Sequence, residues 1–226
     1  MRFAAAALAM AFASLAAHGQ GLREVPFQFV NGKARLKGTL VLPASQPPYP
    51  AMAMLHDAGP ESREVNYGMA RRFAQSGVAA LVYDQRGVGE STGSWRTASP
   101  GDLAQDAAIA VAFFRGRPDI RADRIGLYGR GQGAALLPLA AEKAGDIAFL
   151  IGADPQAAAL DGRWNKVKAP VLMLFSSDER AGSMASRPGL EVCVNARVDD
   201  VIGWTSRVVK GDAMPEKGLS AACRKD

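Results

Sequence analysis

Short continuous runs of hydrophobic residues alternate with stretches of helical periodicity along most of this 226-residue chain. A strand that is covered on both faces reads as an unbroken apolar run, and the strands of parallel sheets are covered in this way. The runs therefore predict a buried parallel sheet with helices in the intervening segments. The predicted strands lie at 51–56, 78–84, 124–129, 147–152 and 170–175, with a weaker one at 190–196. The predicted helices lie at 64–77, 102–118 and 132–145.

The segment ahead of these units predicts an antiparallel hairpin. Two strand-like stretches, 25–30 and 35–42, flank the dipeptide Asn31-Gly32, which is a strong hairpin signal in this context. The expected fold class is α/β: a three-layer sandwich whose mostly parallel sheet is opened by an antiparallel hairpin. No repeat or linker divides residues 24–226, so we expect a single domain with a degenerate C-terminal part.

Residues 1–19 have the pattern of a secretory signal peptide. One arginine precedes an apolar stretch of Ala, Leu, Met and Phe, and small residues follow. The apolar run is too short for a comfortable transmembrane helix, and no later segment has about 18 uninterrupted apolar residues. We expect cleavage after Ala16, Ala17 or Gly19, and a periplasmic or secreted protein with no membrane span after cleavage. Retention of this segment as an N-terminal helix is the alternative.

The charge balance argues against nucleic-acid binding. The chain has 27 basic and 22 acidic residues, and one basic residue leaves with the predicted signal peptide. The basic residues are interleaved with apolar or acidic positions, whereas a nucleic-acid interface needs a basic stripe or patch. The small positive surplus is therefore interpreted as a contribution to solubility.

Cys193 and Cys223 are the only cysteines, and both lie near the C-terminus. An even number of cysteines in an exported chain favours a disulfide, which would hold the C-terminal tail. Two unpaired thiols are the alternative. No histidine stands near them, so they do not predict a metal site.

If the two hairpin strands are counted as the first and second, three motifs follow the third, fourth and fifth predicted strands. They are LHDAGP from Leu55, YDQRGVGES from Tyr83 and GRGQG from Gly129. Their order and spacing resemble the α/β-hydrolase superfamily, closest to its serine-aminopeptidase and acyl-esterase-like branches. The resemblance implies that the motifs are, in turn, the oxyanion loop, the Asp-x-Arg-Gly-x-Gly-x-Ser signature and the nucleophile elbow Gly-x-Ser-x-Gly.

This resemblance implies a catalytic Ser, His and acid, and the sequence departs from that pattern at two of the three positions. Gly131 stands at the apex of the elbow, where the serine is expected. Asp178 stands where the acid is expected, with an ordinary turn residue as the alternative. The histidine is expected after the last strand, yet none follows His56, and His18 lies in the predicted signal peptide. Gly131 and Asp178 are therefore remnant positions, and no catalytic residue is assigned.

The oxyanion loop departs from the family as well. Asp57 stands where the family has a glycine after His56. A carboxylate beside a hole that binds negative charge opposes that function. The resemblance still implies that the backbone N–H groups of Ala58 and Gln132 line the cleft, and with His56 they are the remnants of the oxyanion loop.

Two other patterns suggest different chemistry and are set aside. Residues 89–93 fit Gly-x-Ser-x-Gly around Ser91, but no strand leads directly into them and no helix follows, so Ser91 is interpreted as structural. Gly129-x-Gly131-x-x-Ala134 resembles a dinucleotide fingerprint, but it follows the fifth strand instead of opening the first βαβ unit. We therefore expect neither a cofactor nor a metal.

Three functions remain open from the sequence. The first is an exported α/β-hydrolase-fold protein that is catalytically degenerate and binds an unknown small molecule or protein, as a monomer. The second is an active hydrolase of ester or amide bonds with a non-standard nucleophile. The third is a purely structural, truncated relative. Gly131 and Asp178 are too close in sequence for a helical cap between them, so no cap domain and an open cleft are expected.

Overall fold

The structure is a computed structural model that describes residues 21–155, 162–177 and 189–212, together with the backbone of 223–225. The predicted signal peptide, the candidate acid Asp178 and the side chain of Cys223 lie outside the described residues. Of the helices in the described ranges, none is long and apolar enough to cross a membrane.

The described residues contain nine strands and four α-helices. The strands are β1 (Arg23–Asn31), β2 (Ala34–Leu42), β3 (Tyr49–Leu55), β4 (Ala79–Tyr83), β5 (Ile120–Arg130), β6 (Phe149–Ala153), β7 (Val171–Phe175), β8 (Leu190–Val194) and β9 (Cys223–Lys225). The helices are α1 (Glu64–Gln75), α2 (Pro100–Arg115), α3 (Gln132–Ala144) and α4 (Val198–Lys210), and a short 3-10 helix lies at Trp164–Lys166.

All nine strands belong to one sheet, in the order β1-β2-β4-β3-β5-β6-β7-β8-β9. The neighbouring pairs from β4 through β8 are parallel, whereas β1–β2, β2–β4 and β8–β9 are antiparallel. Helices α2 and α3 pack against one face of the sheet, and α1 and α4 pack against the other. The predicted three-layer α/β sandwich, opened by an antiparallel hairpin, is therefore confirmed.

The turn of the hairpin lies one residue later than the sequence predicted. Asn31 pairs with Ala34, so the two turn residues are Gly32 and Lys33, and Gly32 has a φ of 60°. A positive φ at the first turn position suits glycine, which pays no steric cost there. The Asn31 side chain instead donates a 2.7 Å hydrogen bond to Oδ1 of Asp106 on α2. This contact ties the edge of the sheet to the helix layer.

Helix α2 begins earlier than predicted because Ser99, rather than Asp102, caps it. The Ser99 hydroxyl accepts the Asp102 N–H at 3.1 Å, and the Asp102 carboxylate accepts the Ser99 N–H at 2.9 Å. This reciprocal arrangement is a capping box, which satisfies two backbone donors at the start of a helix.

Helix α4 and strand β9 were not predicted from the sequence. Helix α4 buries Val201, Trp204 and Thr205, which are spaced as neighbours on one helical face. Strand β9 extends the sheet beyond β8. Between β6 and β7, the described residues 154–155 and 162–170 contain no helix other than the 3-10 helix Trp164–Lys166, and no cap domain is present among them.

Candidate functional site

The turn between β5 and α3 has the backbone geometry of a nucleophile elbow. Strand β5 ends at Arg130, Gly131 follows with φ 48° and ψ −113°, and α3 begins at Gln132. Side chains rarely adopt this backbone conformation, and it occurs at strained turns in functional sites. The Gly131 N–H donates a 2.9 Å hydrogen bond to the carbonyl of Ala153 at the end of β6. The sharp strand-to-helix turn is therefore present, with a glycine at its apex.

The two flanking glycines allow the elbow to pack closely. A Cβ on Gly129 would collide with the backbone of Gly133 and lie 2.7 Å from the nitrogen of Ala134. A Cβ on Gly133 would collide with the carbonyl of His56 and lie 3.0 Å from that of Leu55. Side chains at either position would push α3 away from β5 or from the loop after β3. Both glycines keep the packing role that the elbow requires.

The carboxylate of Asp57 fills the space in front of Gly131. A Cβ built on Gly131 would collide with both carboxylate oxygens and with Cγ of Asp57. Oδ1 of Asp57 accepts two backbone hydrogen bonds, from Gln132 N–H at 2.8 Å and from Ala58 N–H at 2.7 Å. One donor belongs to the loop after β3 and the other to the first residue of α3. The two amides predicted to line the cleft thus converge on an oxygen of the chain itself.

Two positively polarised groups lie near the Asp57 carboxylate. The N-terminus of α3 carries the positive end of the helix dipole. The Arg130 guanidinium lies 3.7 Å from Oδ2, although both side chains are partly exposed, so this pair contributes little. The Asp57 N–H donates a 2.8 Å hydrogen bond to Oε2 of Glu61, which fixes the backbone of the loop. The Asp57 side chain remains 29% exposed and is therefore open to solvent on one side.

His56, the residue before Asp57, is buried and joins two strands. Its Nε2–H donates to the carbonyl of Tyr83 at the end of β4, and its ring packs edge-on against the Tyr83 ring, with centroids 4.6 Å apart. Burial lowers the pKa of His56 from its ordinary 6.5 to about 4, and it outweighs the opposing effects of the hydrogen bond and of the Asp84 and Asp106 charges. His56 is therefore neutral at pH 7, and its Nε2 proton is used in a structural hydrogen bond.

Comparison with known proteins identifies the family of this chain. A family model described as X-Pro dipeptidyl-peptidase (S15 family) matches residues 31–162, which is more than half of the chain. The chain belongs to the S15 family. The matched residues include all three motifs of this S15-family chain.

Two relatives in sequence are a thiohydrolase and an esterase. Thiohydrolase aneE of Aspergillus aculeatus is 35% identical over 107 residues, which cover 47% of this chain and 33% of the relative. Esterase EstD of Thermotoga maritima is 27% identical over 121 residues, which cover 50% of this chain and 28% of the relative. The matched region thus spans about a third of the length of these relatives or less.

Solved structures share the fold at low sequence identity. The α/β hydrolase GrgF from Penicillium sp. sh18 superposes with a TM-score of 0.70 at 16% identity, covering 84% of this chain and 99% of that one. A dienelactone hydrolase from Anabaena variabilis superposes with a TM-score of 0.65 at 19% identity, covering 84% and 98%. These likenesses confirm the α/β-hydrolase fold of the S15-family chain.

The signature loop of this S15-family chain is a closed network of buried charges. Asp84 is only 2% exposed, and its carboxylate accepts hydrogen bonds from the N–H, Nε and Nη2 of Arg63 and from the N–H of Glu90, at 2.9–3.2 Å. The guanidinium of Arg86 makes two bonds, of 2.7 and 2.8 Å, to the carboxylate of Asp106. Bidentate pairs of this kind are geometrically specific and hold the loop in one conformation.

Ser91, the serine of the second Gly-x-Ser-x-Gly pattern, is built into the same loop. It is buried, and its hydroxyl donates a 2.7 Å hydrogen bond to the Asp84 carbonyl. The same oxygen accepts the Lys37 N–H at 3.0 Å. Ser91 therefore joins the signature loop to β2, which is the geometry of a structural serine.

The region of the expected acid and the cysteine pair are described only in part. Asp154 follows β6, and its Oδ1 accepts hydrogen bonds from the N–H and hydroxyl of Ser176, at 2.8 and 2.9 Å. Asp178 lies beyond the described end of this segment, so its role stays a prediction. Cys193 is buried on β8, and the strand register places it opposite Cys223 of β9. Within the described ranges, no group of three or more His, Cys, Asp or Glu residues is arranged to hold a metal ion.

Sequence reasoning identified Asp57 as a departure from the family but did not predict where its carboxylate would lie. The available signal was the combination of two changes. Relative to the family pattern that it resembles, the chain has an acidic residue in place of a glycine in the oxyanion loop, and a glycine in place of a serine at the elbow. Since the two positions face each other, the side chain at one can occupy the space left empty at the other.

Proposed function

We propose that this S15-family chain is an exported α/β-hydrolase-fold protein without hydrolytic turnover, which serves as a binding or interaction module. The observation that carries the proposal is the Asp57 carboxylate, which occupies the space of the nucleophile and accepts both amides of the oxyanion hole. Acyl transfer needs these donors free to stabilise the charge that develops on the substrate carbonyl. It also needs a nucleophile and a base, and the positions expected for them hold Gly131 and no histidine.

The test is reaction of the purified protein with a serine-directed fluorophosphonate, together with turnover of short-chain aryl esters. We expect no stoichiometric labelling, and hydrolysis at least about 10⁴-fold slower than that of a hydrolase with an intact triad. The Ser91→Ala variant is the matched control, because it removes the other serine that fits the nucleophile pattern. Stoichiometric labelling with turnover would instead support an active hydrolase with a non-standard nucleophile and overturn the proposal.

The single change Gly131→Ser tests the same proposal from the opposite direction. We expect that it restores neither labelling nor turnover, because the new side chain meets the Asp57 carboxylate and finds no histidine to activate it. Recovery of activity from this one substitution would show that a base exists where the sequence predicts none.

The proposed export rests on the pattern of residues 1–19. Expression in a bacterium, followed by fractionation and intact-mass measurement, tests it. We expect the protein in the periplasm or the medium, with a mass that corresponds to cleavage after Ala16, Ala17 or Gly19. A full-length mass in the cytoplasmic fraction would contradict the proposal. In the same sample, the elution volume in size-exclusion chromatography tests the proposed monomeric state.

We also propose a disulfide between Cys193 and Cys223. The antiparallel register of β8 and β9 supports it, because residues directly opposite in such a pair have Cα separations within the range of disulfides. Alkylation with and without prior reduction, followed by intact-mass measurement, tests it. We expect alkylation of both thiols only after reduction, and alkylation without reduction would contradict the bond.

A further inference from the structure

The two amides that donate to Asp57 form an anion site, and the Asp57 carboxylate occupies it. Two amides, one from the loop after β3 and one from the first residue of α3, point at the same position, and that position holds a carboxylate oxygen. The same arrangement would accept an oxygen of an external carboxylate. Asp57 is attached one residue before one of the two donors, so it reaches the site without losing the translational freedom that an external ligand must lose.

We propose that Asp57 is an internal ligand that closes the oxyanion hole to small external anions. This inference rests on the proposed function without turnover, and it assigns Asp57 an autoinhibitory contact at that site. Closure is by shape as well as by charge, because the carboxylate also occupies the volume next to Gly131. The observed position of the Asp57 carboxylate therefore requires that residue 131 has no side chain.

Titration with acetate tests the closure directly. Amide ¹H–¹⁵N resonances of Ala58, Gly131 and Gln132 are followed in the wild type and in the variant Asp57→Ala, at constant ionic strength set with chloride. We expect saturable shifts in the variant. In the wild type we expect at least about tenfold weaker binding, since an occluded site binds only in proportion to the fraction of molecules in which it is open.

The matched control is Asp123→Ala, which removes one carboxylate from the same strand as the elbow but far from its carboxyl end. The Asp123 carboxylate is exposed and pairs with Arg121 and Arg124. We expect this variant to respond to acetate as the wild type does. Equal acetate affinity of the wild type and Asp57→Ala, or no response in a folded Asp57→Ala protein, would overturn the inference.

A double-mutant cycle tests the same contact through stability, without an added ligand. Gly131→Ala is introduced into the wild type and into Asp57→Ala, and the four melting temperatures are compared. Backbone strain at position 131 is common to both backgrounds, so the cycle isolates the contact with Asp57. We expect Gly131→Ala to lower Tm by several degrees more when Asp57 is present. Additive effects would overturn the inference.

The outcomes separate this inference from the proposed function. Additive Tm changes in a protein without turnover would overturn the closure alone. Turnover in a protein with strong coupling between positions 57 and 131 would overturn the proposed function alone.

Discussion

Two polar loops lie at the carboxyl ends of neighbouring strands, and they differ in how their charges are satisfied. In the signature loop after β4, Asp84 is almost fully buried, and its carboxylate accepts four hydrogen bonds from Arg63 and Glu90. In the loop after β3, the carboxylate of Asp57 is 29% exposed and accepts two backbone amides. The first network is buried within the fold, whereas the second is partly exposed and lies beside Gly131 at the turn between β5 and α3.

The difference shows which part of the family pattern this chain keeps. The signature loop retains its Asp, Arg, Gly and Ser residues and places each buried polar group opposite a partner. The elbow keeps its turn and its flanking glycines while the apex side chain is replaced. Residues that shape the backbone are thus present in both regions, and the departures from the family pattern in these regions lie at Asp57 and Gly131.

Loss of Asp84 is expected to have the largest effect on stability. Asp84→Ala removes a buried carboxylate and leaves the Arg63 guanidinium, which is 16% exposed, with Glu90 and the Thr39 hydroxyl as its remaining partners. We expect a loss of about 3–5 kcal/mol in the free energy of unfolding, which is typical when one partner of a buried ion pair is removed. Urea denaturation measures it as a shift of the midpoint.

Asp57→Ala is the comparison for this variant, because it removes a carboxylate from the more exposed loop. We expect a loss of only about 1 kcal/mol, since water can reach the two amides that lose their acceptor. An equal loss in the free energy of unfolding for the two variants would show that the fold also requires the carboxylate at position 57. The distinction between the two loops would then be wrong.

His56 connects the two loops and should make stability depend on pH. Its folded-state pKa of about 4 lies below the ordinary 6.5, so the unfolded chain binds a proton that the folded protein does not accept in this interval. The contribution is fully present above pH 6.5 and is lost as pH falls towards 4. The loss amounts to about 3 kcal/mol, at 1.36 kcal/mol for each pKa unit.

Urea denaturation at several pH values, in the wild type and in His56→Gln, measures this effect. Carboxylates whose pKa values are lowered by ion pairs or hydrogen bonds, such as Asp119 and Asp102, also lose stabilisation in acid, but they are common to both proteins. The difference between the two profiles therefore isolates His56. Parallel profiles between pH 6.5 and 4 would contradict the neutral, buried state of this side chain.

Much of the fold could be predicted because the core of each parallel strand is an apolar run, and because α-helices follow β3, β4 and β5. The strands from β3 to β7 lie within a few residues of their predicted positions, since burial on both faces leaves a clear signal. Helix α4 was missed although Val201, Trp204 and Thr205 are spaced as neighbours on one helical face, because Gly203 lies among them and glycine is unfavourable inside a helix. The hairpin turn was misplaced by one residue, because Asn31 uses its side chain to bind α2 instead of forming the turn.

The site was predictable as a set of positions but not as a set of contacts. The sequence located the elbow at Gly131 and the two amides of Ala58 and Gln132, because the motifs fix their order along the sheet. It gave no means to determine that the Asp57 carboxylate turns towards Gly131, because that orientation depends on the space left by an absent side chain. The contact of Asp57 with Gly131 and Gln132, which are more than 70 residues away in the sequence, is seen only in the structure.

A smaller effect than those of Asp84 and His56 is expected at Ser91, and it tests whether the second Gly-x-Ser-x-Gly serine belongs to the structural loop. Ser91→Ala removes one donor and one acceptor from a buried position and leaves the Lys37 N–H and the Asp84 carbonyl without this partner. We expect a loss of about 1–2 kcal/mol in the free energy of unfolding. Thr92→Ala is the matched control, since its hydroxyl accepts the Arg35 N–H at an exposed position and should cost less than about 0.5 kcal/mol. If Ser91→Ala is as mild as Thr92→Ala, or if it changes the reaction with a fluorophosphonate, the hydroxyl of Ser91 has a role other than joining the loop to β2.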